Sequence, residues 1–363
     1  MDVRCFYGDR VCSEFLSYLR SALLSNSVIP LYVIASTRTS LIPGISLAGA
    51  NPDLTLLTPT LDVEYLLTGG VLSLDVIPTT PEGIPTPALI TRACLNLVGL
   101  KGLVVDAGVF REPKVPHVVL PSRCVGGRVD SEEALPRGTS ERLFNEAKLL
   151  GNSIGRYFKL VVIGESMAGG TTTALSIMTA LGFNAWGKVS SSAPNNPLKL
   201  KEEVVRKALN RLTGNESVFE INDLVGDPLH ISIAGLAVGA LEAGAKVLLG
   251  GGTQMCAVLA ILSRLGITGD NSLAIGTTSW LVKFTPTIKD LVSNILPNTP
   301  IIYADLSFSN SRFEGLRKYE VGYVKEGVGA GASAILALAR GYSTKEVIRS
   351  IEDEYERVVK GVK

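Results

Sequence analysis

The sequence predicts a doubly wound α/β fold, in which helices flank a mostly parallel sheet. Apolar runs of strand length are continuously apolar rather than alternating, which is typical of strands covered on both faces. Each run is followed by turn residues and then by a helical pattern. With 363 residues, of which 46% are hydrophobic, the chain is long enough for one large domain or two modest ones.

The apolar runs and the intervening patterns place the elements in order along the chain. Strands are expected at Ile29–Ala35, Leu54–Thr58, Leu103–Asp106, Lys159–Ile163, Lys246–Leu249, Ser272–Ile275 and Pro300–Ala304. Helices are expected at Asp9–Leu24, Thr86–Val98, Ser140–Ile154, Thr171–Leu181, Lys199–Leu212, Ile231–Ala243, Thr253–Leu265, Ala330–Ala339 and Ser343–Val359. The last helix has a strong start signal, because Ser343 precedes Glu346 by three residues in a capping-box pattern.

The first and last helices stand apart from the strand series. We therefore expect residues 26–325 to form a large α/β nucleotide-binding domain. Residues 1–25 and 326–363 are expected to pack together as a small helical lobe of the same functional unit.

Composition excludes several classes of protein. A net charge of +1 leaves no broad basic field for nucleic acid. No apolar run reaches the roughly 18–20 residues that span a bilayer, and the charged N-terminal stretch does not resemble a signal peptide. We expect a cytoplasmic protein without a membrane partner.

The cysteines and histidines restrict the kinds of disulfide, metal site and catalytic site that the chain can form. An odd count of 5 cysteines without a Cys-x-x-Cys motif favours reduced thiols, although a Cys5–Cys12 bridge stays open. The only histidines, His117 and His230, lie far apart in the sequence. A multi-histidine metal site or a Ser-His-Asp triad is not expected, and no metal or other cofactor is predicted.

The first candidate site is the glycine-rich turn at residues 162–173. Glycine lets a backbone approach a ligand closely, and the free amides at a helix start favour a phosphate. We expect Thr171 to cap the following helix. The turn is neither a Walker loop nor a dinucleotide fingerprint. An acidic residue here suits ribose hydroxyls, and the candidates are Gly164, Glu165, Gly169, Gly170, Thr171 and Thr172. A plain β–α turn is the alternative.

Two more glycine-rich segments follow. Three consecutive glycines favour a ligand lying against bare backbone or, alternatively, a purely structural turn; the candidates are Gly250, Gly251, Gly252 and Thr253. Further along, Glu326 precedes a turn with Gly327 and Gly329 and a long apolar helix. In a dry cleft the pKa of this carboxyl group would rise toward neutrality, as a general base requires. A solvated surface glutamate is the alternative.

The order of these blocks resembles the nicotinate-nucleotide:dimethylbenzimidazole phosphoribosyltransferases of cobamide assembly, in a divergent, archaeal-type branch. The block from Gly164 to Thr172 is similar to Gly-Glu-Met-Gly-x-x-Asn-Thr-Thr of that family. The block 233–237 is similar to its Ile-Ala-Gly-Leu helix, and 104–109 to its Val-Asp-Val-Gly-Val strand. The block from Glu326 to Ala330 is similar to the Gly-Glu-Gly-Thr-Gly-Ala that carries the catalytic glutamate.

The resemblance implies a reaction and roles for residues. The enzyme would transfer the 5-phosphoribosyl group of nicotinate mononucleotide to an aromatic nitrogen base of the benzimidazole type. The product would be an α-ribotide for the lower ligand of a cobamide. Glu326 would remove the proton of the attacking azole, while the glycine turns hold the nucleotide. Lys201 and the serines Ser309 and Ser311 align loosely with family residues that bind it. The family forms homodimers, which implies a dimer here.

Departures from the family pattern leave the base open. The Asp-His-Gly signature near the family's base pocket is missing, and the corresponding Gly69–Pro87 region is rich in proline. Gly170 replaces an asparagine, and Lys325 replaces the glycine before the catalytic glutamate. A transferase that uses adenine or another purine is one alternative, and a non-catalytic nucleotide sensor is another.

Overall fold

The computed structural model describes residues 2–46, 52–75, 79 and 83–360. The strands within these residues are β1 (Val3–Tyr7), β2 (Val28–Ala35), β3 (Leu103–Gly108), β4 (Val118–Val119), β5 (Leu160–Ser166), β6 (Lys246–Gly250), β7 (Leu273–Thr278) and β8 (Ile301–Ala304). The helices are α1 (Asp9–Leu24), α2 (Pro52–Thr68), α3 (Ala88–Val98), α4 (Thr139–Gly155), α5 (Gly170–Ala180), α6 (Leu198–Leu209), α7 (Val218–Val225), α8 (Pro228–Glu242), α9 (Thr253–Arg264), α10 (Ser279–Phe284), α11 (Ile288–Ile295), α12 (Glu314–Arg317), α13 (Ala330–Arg340) and α14 (Thr344–Val359).

All the described strands belong to one sheet, with the order β1-β8-β7-β6-β5-β2-β3-β4. Every neighbouring pair is parallel except β1 with β8, which is antiparallel. The chain winds outward from β2 in one direction through β3 and in the other from β5 through β8. The predicted doubly wound α/β class is confirmed, and the strand order reverses between β2 and β5, where such folds place ligands.

Both faces of the sheet are covered, because its strands point apolar side chains alternately to two cores. In β2, Leu31 and Val33 face a core with α4, α5, α8 and α9, whereas Tyr32 faces one with α1, α3, α13 and α14. The terminal helices α1 and α14 therefore share a core with the sheet itself. The division into a large domain and a helical lobe stays a prediction.

The structure corrects two expectations from the sequence. The strand predicted at Leu54–Thr58 is wrong, because this segment lies inside α2, which continues through Pro59. The expectation that all thiols are reduced is also wrong, since a disulfide joins Cys5 and Cys12. The turn at Gly8 folds α1 back beside β1 and brings these two cysteines together.

Among the described residues, no helix combines the length and the apolar character that a membrane crossing needs.

Candidate active site

A cavity of about 680 Å³ opens beyond the carboxyl ends of β5 and β6, within the size range of small-molecule sites. Its polar lining residues, which we call the polar wall, include Gly169, Gly170, Thr171, Ser190, Ser191, Ser192, Thr253 and Gln254. Its apolar lining residues, which we call the apolar wall, include Leu54, Leu61, Ile84, Pro85, Pro87 and Met167. Glu326 lines the same cavity.

The position of Glu326 between the walls follows from the contacts of its neighbours. The amide of Val324 donates a hydrogen bond of 2.9 Å to the carbonyl oxygen of Ser192 in the polar wall. On the other side, a Cβ added to Gly327 would lie 2.8 Å from Cγ of Pro87 in the apolar wall. The segment that carries Glu326 therefore bridges the two walls.

The carboxylate of Glu326 is held by three donors. Oε2 accepts a hydrogen bond of 3.1 Å from the hydroxyl of Thr277, at the end of β7. Oε1 accepts bonds from the amides of Gly327 at 3.2 Å and Gly331 at 3.1 Å. Burial raises the pKa of Glu326 to about 7, and these hydrogen bonds oppose the rise. A carboxyl group with this pKa exchanges protons near neutral pH, as general acid–base catalysis requires.

The backbone around Glu326 is strained. Val324, Lys325 and Val328 have φ angles of 60°, 69° and 50°, a region that residues other than glycine rarely occupy. Such conformations cost on the order of 1–3 kcal/mol each and persist only where surrounding contacts impose them. Here the amide of Val328 donates to the carbonyl of Glu165 at 2.8 Å, and the hydroxyl of Thr91 donates to the carbonyl of Val328 at 2.8 Å.

Two further carboxyl groups border the cavity. Asp62 of α2 accepts hydrogen bonds from the hydroxyls of Thr86 at 2.6 Å and Ser166 at 2.7 Å, while burial raises its pKa to about 6. The pKa of Glu165 is raised well above its ordinary value by burial and then by the nearby charges of Glu326 and Asp62. The three groups disfavour one another's negative charge, so a ligand with positive charge is favoured beside them.

Two buried lysines lie behind the polar wall. Nζ of Lys201 donates hydrogen bonds to Oγ1 of Thr171 at 3.0 Å and to the carbonyl of Ser190 at 2.6 Å. Lys325 donates from Nζ to the carbonyl of Ala193 at 3.0 Å and to that of Gly322. Burial lowers the pKa of Lys201 to about 7, and the charge of Lys325 contributes to the shift. Within the described chain neither lysine pairs with a carboxylate, so an anion would stabilise both.

The structure brings half of the predicted site residues to this cavity. The described residues that line it include the predicted Glu165, Gly169, Gly170, Thr171, Gly252, Thr253, Glu326 and Gly327. The predicted residues outside that lining are Gly164, Thr172, Lys201, Gly250, Gly251, Ser309, Ser311 and Gly329. Lys201 contacts the lining residue Thr171 through a hydrogen bond.

Several glycines are required by packing rather than by direct access to the cavity. A Cβ added to Gly250 would lie 2.8 Å from that of Ala332, and one added to Gly251 would lie 2.9 Å from Cγ of Met255. One added to Gly164 would lie 3.0 Å from the amide nitrogen of Gly329. Gly164 and Gly250 let α13 and the segment before it approach the strand ends closely, whereas Gly251 leaves room for Met255 of α9.

The expected cap at Thr171 is wrong, and the two predicted serines lie outside the cavity lining. Thr171 does not cap α5, because the N-cap is Gly169 at a φ of 78°, and the Thr171 hydroxyl instead accepts from Lys201. Ser309 bonds to Ser307 outside the cavity lining. Ser311 donates to Glu352 of α14 at 2.6 Å, which directs it away from the cavity.

Asp62 and Thr277 are the site residues that sequence reasoning missed. The signal for Asp62 was a helical face, since Leu54, Thr58, Leu61 and Asp62 all line the cavity from α2 at helical spacing. That face was hidden by interpreting 54–58 as a strand. Thr277 carried no distinguishing signal in the sequence.

The proline-rich Gly69–Pro87 region does reach the cavity. Val71, Thr79 and the stretch 84–87 contribute to its lining. Residues 76–78 and 80–82 of this region lie outside the described residues. Within the described part of the chain, no group of three or more histidine, cysteine, aspartate or glutamate side chains is placed to hold a metal ion.

The fold and this site define a transferase of the phosphoribosyl type. Residues 92–277 match the DBI_PRT family model, which is described as phosphoribosyltransferase. The chain belongs to this family, in the archaeal-type branch related to nicotinate-nucleotide:dimethylbenzimidazole phosphoribosyltransferases.

The chain is similar to archaeal UPF0284 proteins over most of its length. It is 53% identical to the UPF0284 protein of Aeropyrum pernix over 332 residues, which cover 91% of this chain and 92% of that one. The UPF0284 protein of Pyrobaculum calidifontis is 45% identical over 334 residues, with 91% and 96% covered.

A solved structure shares the fold. The nicotinate-nucleotide-dimethylbenzimidazole phosphoribosyltransferase of Thermus thermophilus superposes with a TM-score of 0.61 at 18% identity. The superposition covers 93% of this chain and 89% of that one.

Proposed function

We propose that the protein transfers the 5-phosphoribosyl group of nicotinate mononucleotide to an aromatic nitrogen base, giving an α-ribotide for cobamide lower-ligand assembly. The observation that carries the proposal is Glu326, whose carboxyl group has a pKa near 7 at the junction of a polar and an apolar wall. The family supports phosphoribosyl transfer, and the two walls suit the two halves of such a reaction.

The nucleotide fits the polar wall. Its phosphate is an anion, and Lys201 supplies positive charge behind Thr171 and Ser190. Amides at the start of α5, which Gly169 leaves uncapped by a side chain, add partial positive charge. The ribose would then lie toward Glu165 and Glu326, with C1′ facing the apolar wall.

The reaction is a displacement at C1′ of the ribose. A ring nitrogen of the base attacks C1′ with its lone pair, and the bond from C1′ to the pyridinium nitrogen breaks. Nicotinate leaves with that electron pair, and its ring nitrogen becomes neutral. Because this departure removes the positive charge of the pyridinium, nicotinate is a good leaving group without a metal ion. The proton on the other nitrogen of the azole passes to Glu326. Positive charge that develops on the ribose in the transition state is stabilised by the buried carboxylates.

Incubation of the protein with nicotinate mononucleotide and a panel of bases tests the proposal, with nicotinate and ribotide measured by chromatography. We expect base-dependent release of nicotinate, lowered about 10²–10⁴-fold in Glu326→Gln because the general base is lost. Glu314→Gln is a control, since that side chain is 73% exposed and outside the cavity lining. Undiminished turnover in Glu326→Gln would remove Glu326 from the mechanism, and binding without turnover on any base would favour a nucleotide sensor.

A further inference from the structure

Asp62 is a buried carboxylate beside the apolar wall. Only 6% of the residue is exposed, yet it borders the cavity from α2, next to Leu61. Across the cavity lining, its oxygens reach Thr86 at 2.6 Å and Ser166 at 2.7 Å. A charged group beside apolar side chains is costly to bury unless it is hydrogen-bonded. A ligand that donates a further hydrogen bond to Asp62 would therefore be favoured.

The neighbours of Asp62 fix it as an acceptor. Oγ1 of Thr86 accepts a bond of 3.3 Å from the amide of Ala88, which leaves the Thr86 proton directed at Asp62. Ser166 donates to the other oxygen. Each carboxylate oxygen accepts two hydrogen bonds, so each retains capacity for one more donor. No lysine, arginine or histidine among the described residues forms an ion pair with it.

The base of the proposed reaction would lie against the apolar wall, because a flat aromatic ring suits the side chains there and Gly327, next to Glu326, lies close to Pro87. A ring in this position presents one nitrogen to C1′ and a different edge toward α2. A methyl group on that edge would cover the free lone pairs of Asp62 and leave them without a donor. An N–H group would satisfy them.

We infer that Asp62 selects acceptor bases that carry a hydrogen-bond donor on the ring edge remote from the attacking nitrogen, and that it disfavours bases with only methyl groups there. The inference rests on the proposed function and assigns a substrate class to the same site: amino-substituted benzimidazoles and aminopurines rather than 5,6-dimethylbenzimidazole. Asp62 is a specificity-determining residue, not the group that moves the proton. A site that hydrogen-bonds its substrate strongly rejects analogues that lack the donor.

The sharpest test compares 5-aminobenzimidazole with 5-methylbenzimidazole, which have nearly the same size but differ in the donor. At pH 8, with saturating nicotinate mononucleotide, we expect kcat/KM to favour the amino compound by at least about 10-fold, since only that compound can donate a hydrogen bond to the charged carboxylate. The ratio should fall to near 1 in Asp62→Leu and to an intermediate value in the isosteric Asp62→Asn. Asp290→Asn, on the exposed start of α11, is the control and should keep the wild-type ratio.

Calorimetric binding of the two bases in the presence of the nucleotide separates this inference from the proposed function. A preference for the amino compound that weakens in Asp62→Asn supports the inference even where no nicotinate is released, while the absence of release with every base overturns the proposed function. An equal or better use and binding of 5-methylbenzimidazole by the wild type overturns the inference and leaves phosphoribosyl transfer intact. Ratios that are the same in the wild type and in Asp62→Asn overturn it as well.

Discussion

The hydroxyl of Thr277 donates a hydrogen bond of 3.1 Å to Oε2 of Glu326, and so connects the end of β7 to the proposed general base. This bond stabilises the ionised form of the carboxyl group and opposes the effect of burial on its pKa. Thr277 is therefore placed to set the pH at which Glu326 becomes a base.

Substitution of Thr277 by valine should move the pH–rate profile. Loss of a hydrogen bond worth about 0.5–1.5 kcal/mol raises the pKa of Glu326 by about 0.4–1 unit, so the acidic limb of kcat/KM moves to higher pH. The profile is measured from about pH 5.5 to 9, a range that spans this limb. Thr299→Val, in which a buried hydroxyl without a partner is removed away from the cavity lining, is the matched control. An acidic limb at the same pH in wild type and Thr277→Val would show that this bond does not set the basicity.

Glu326→Gln should change the pH dependence of stability. The carboxyl group has a pKa of about 7 in the folded protein against 4.5 for an ordinary glutamate, so between these values the folded state keeps a proton that the unfolded state has lost. The contribution of this group to the free energy of unfolding is therefore present below pH 4.5 and is lost as pH rises through about 7.

Glutamine mimics the protonated form at every pH. The variant should gain about 1–3 kcal/mol over the wild type on going from about pH 4.5 to pH 8. Denaturant unfolding at both pH values measures the difference. Parallel stability curves for the two proteins would contradict a raised pKa in the folded state.

Lys201→Met should weaken the binding of nicotinate mononucleotide. The loss of a charge-assisted interaction predicts a Kd about 10–100-fold higher, measured by calorimetry at about pH 6.5. Because burial lowers the pKa of Lys201 to about 7, Lys201 is neutral at about pH 9, and the wild type should lose most of its affinity advantage over the variant there. The phosphate ionises equally in both measurements, so its own pH dependence cancels in the comparison. Lys207→Met, an exposed position on the same helix, is the control. A Kd unchanged by Lys201→Met would place the phosphate elsewhere.

Gly331→Ala should destabilise the protein and displace the general base together. A Cβ at Gly331 would lie 2.1 Å from the carbonyl carbon of Thr277, and the Gly331 amide is a donor to Glu326. Overpacking of this kind costs about 1–3 kcal/mol, which denaturant unfolding measures alongside kcat. Gly70→Ala, where an added Cβ meets no atom of the described residues within 4 Å, should be close to neutral. If Gly331→Ala were as stable as Gly70→Ala, α13 would accommodate the added Cβ without a loss of free energy of unfolding.

Much of the fold follows from local sequence, because strands buried on both faces are continuously apolar. The runs at 159–163 and 246–249 form β5 and β6, and Ser343 caps α14 with the predicted capping box. The failure at 54–58 has a physical reason: threonine and Pro59 disfavour a helix locally, but burial of α2 side chains such as Leu57, Val63 and Tyr65 outweighs that propensity. The edge strand β1 was missed because it is not continuously apolar and carries exposed Arg4.

Site residues were predicted where they lie beside a glycine-rich turn in the sequence. They were missed where contacts between distant parts of the chain bring them to the site. Glu326 and Thr171 are close to their turns in sequence, so composition alone pointed to them. Gly250 has the same local pattern, but its neighbour is Ala332, which only the folded chain brings near. A turn sequence does not distinguish close approach by a ligand from close approach by another helix.

The bends on either side of Glu326 hold their shape only through partners that lie far apart along the chain: Thr91 in α3, Glu165 in β5, Ser192 and the β7 residue Thr278. No single segment of the chain can form the environment of Glu326 by itself. In a partly folded chain that lacks these contacts, the backbone around Glu326 would adopt an unstrained conformation. During refolding, the return of turnover should therefore trail the return of helical signal, so that enzymatic rate reports the last long-distance contacts to form.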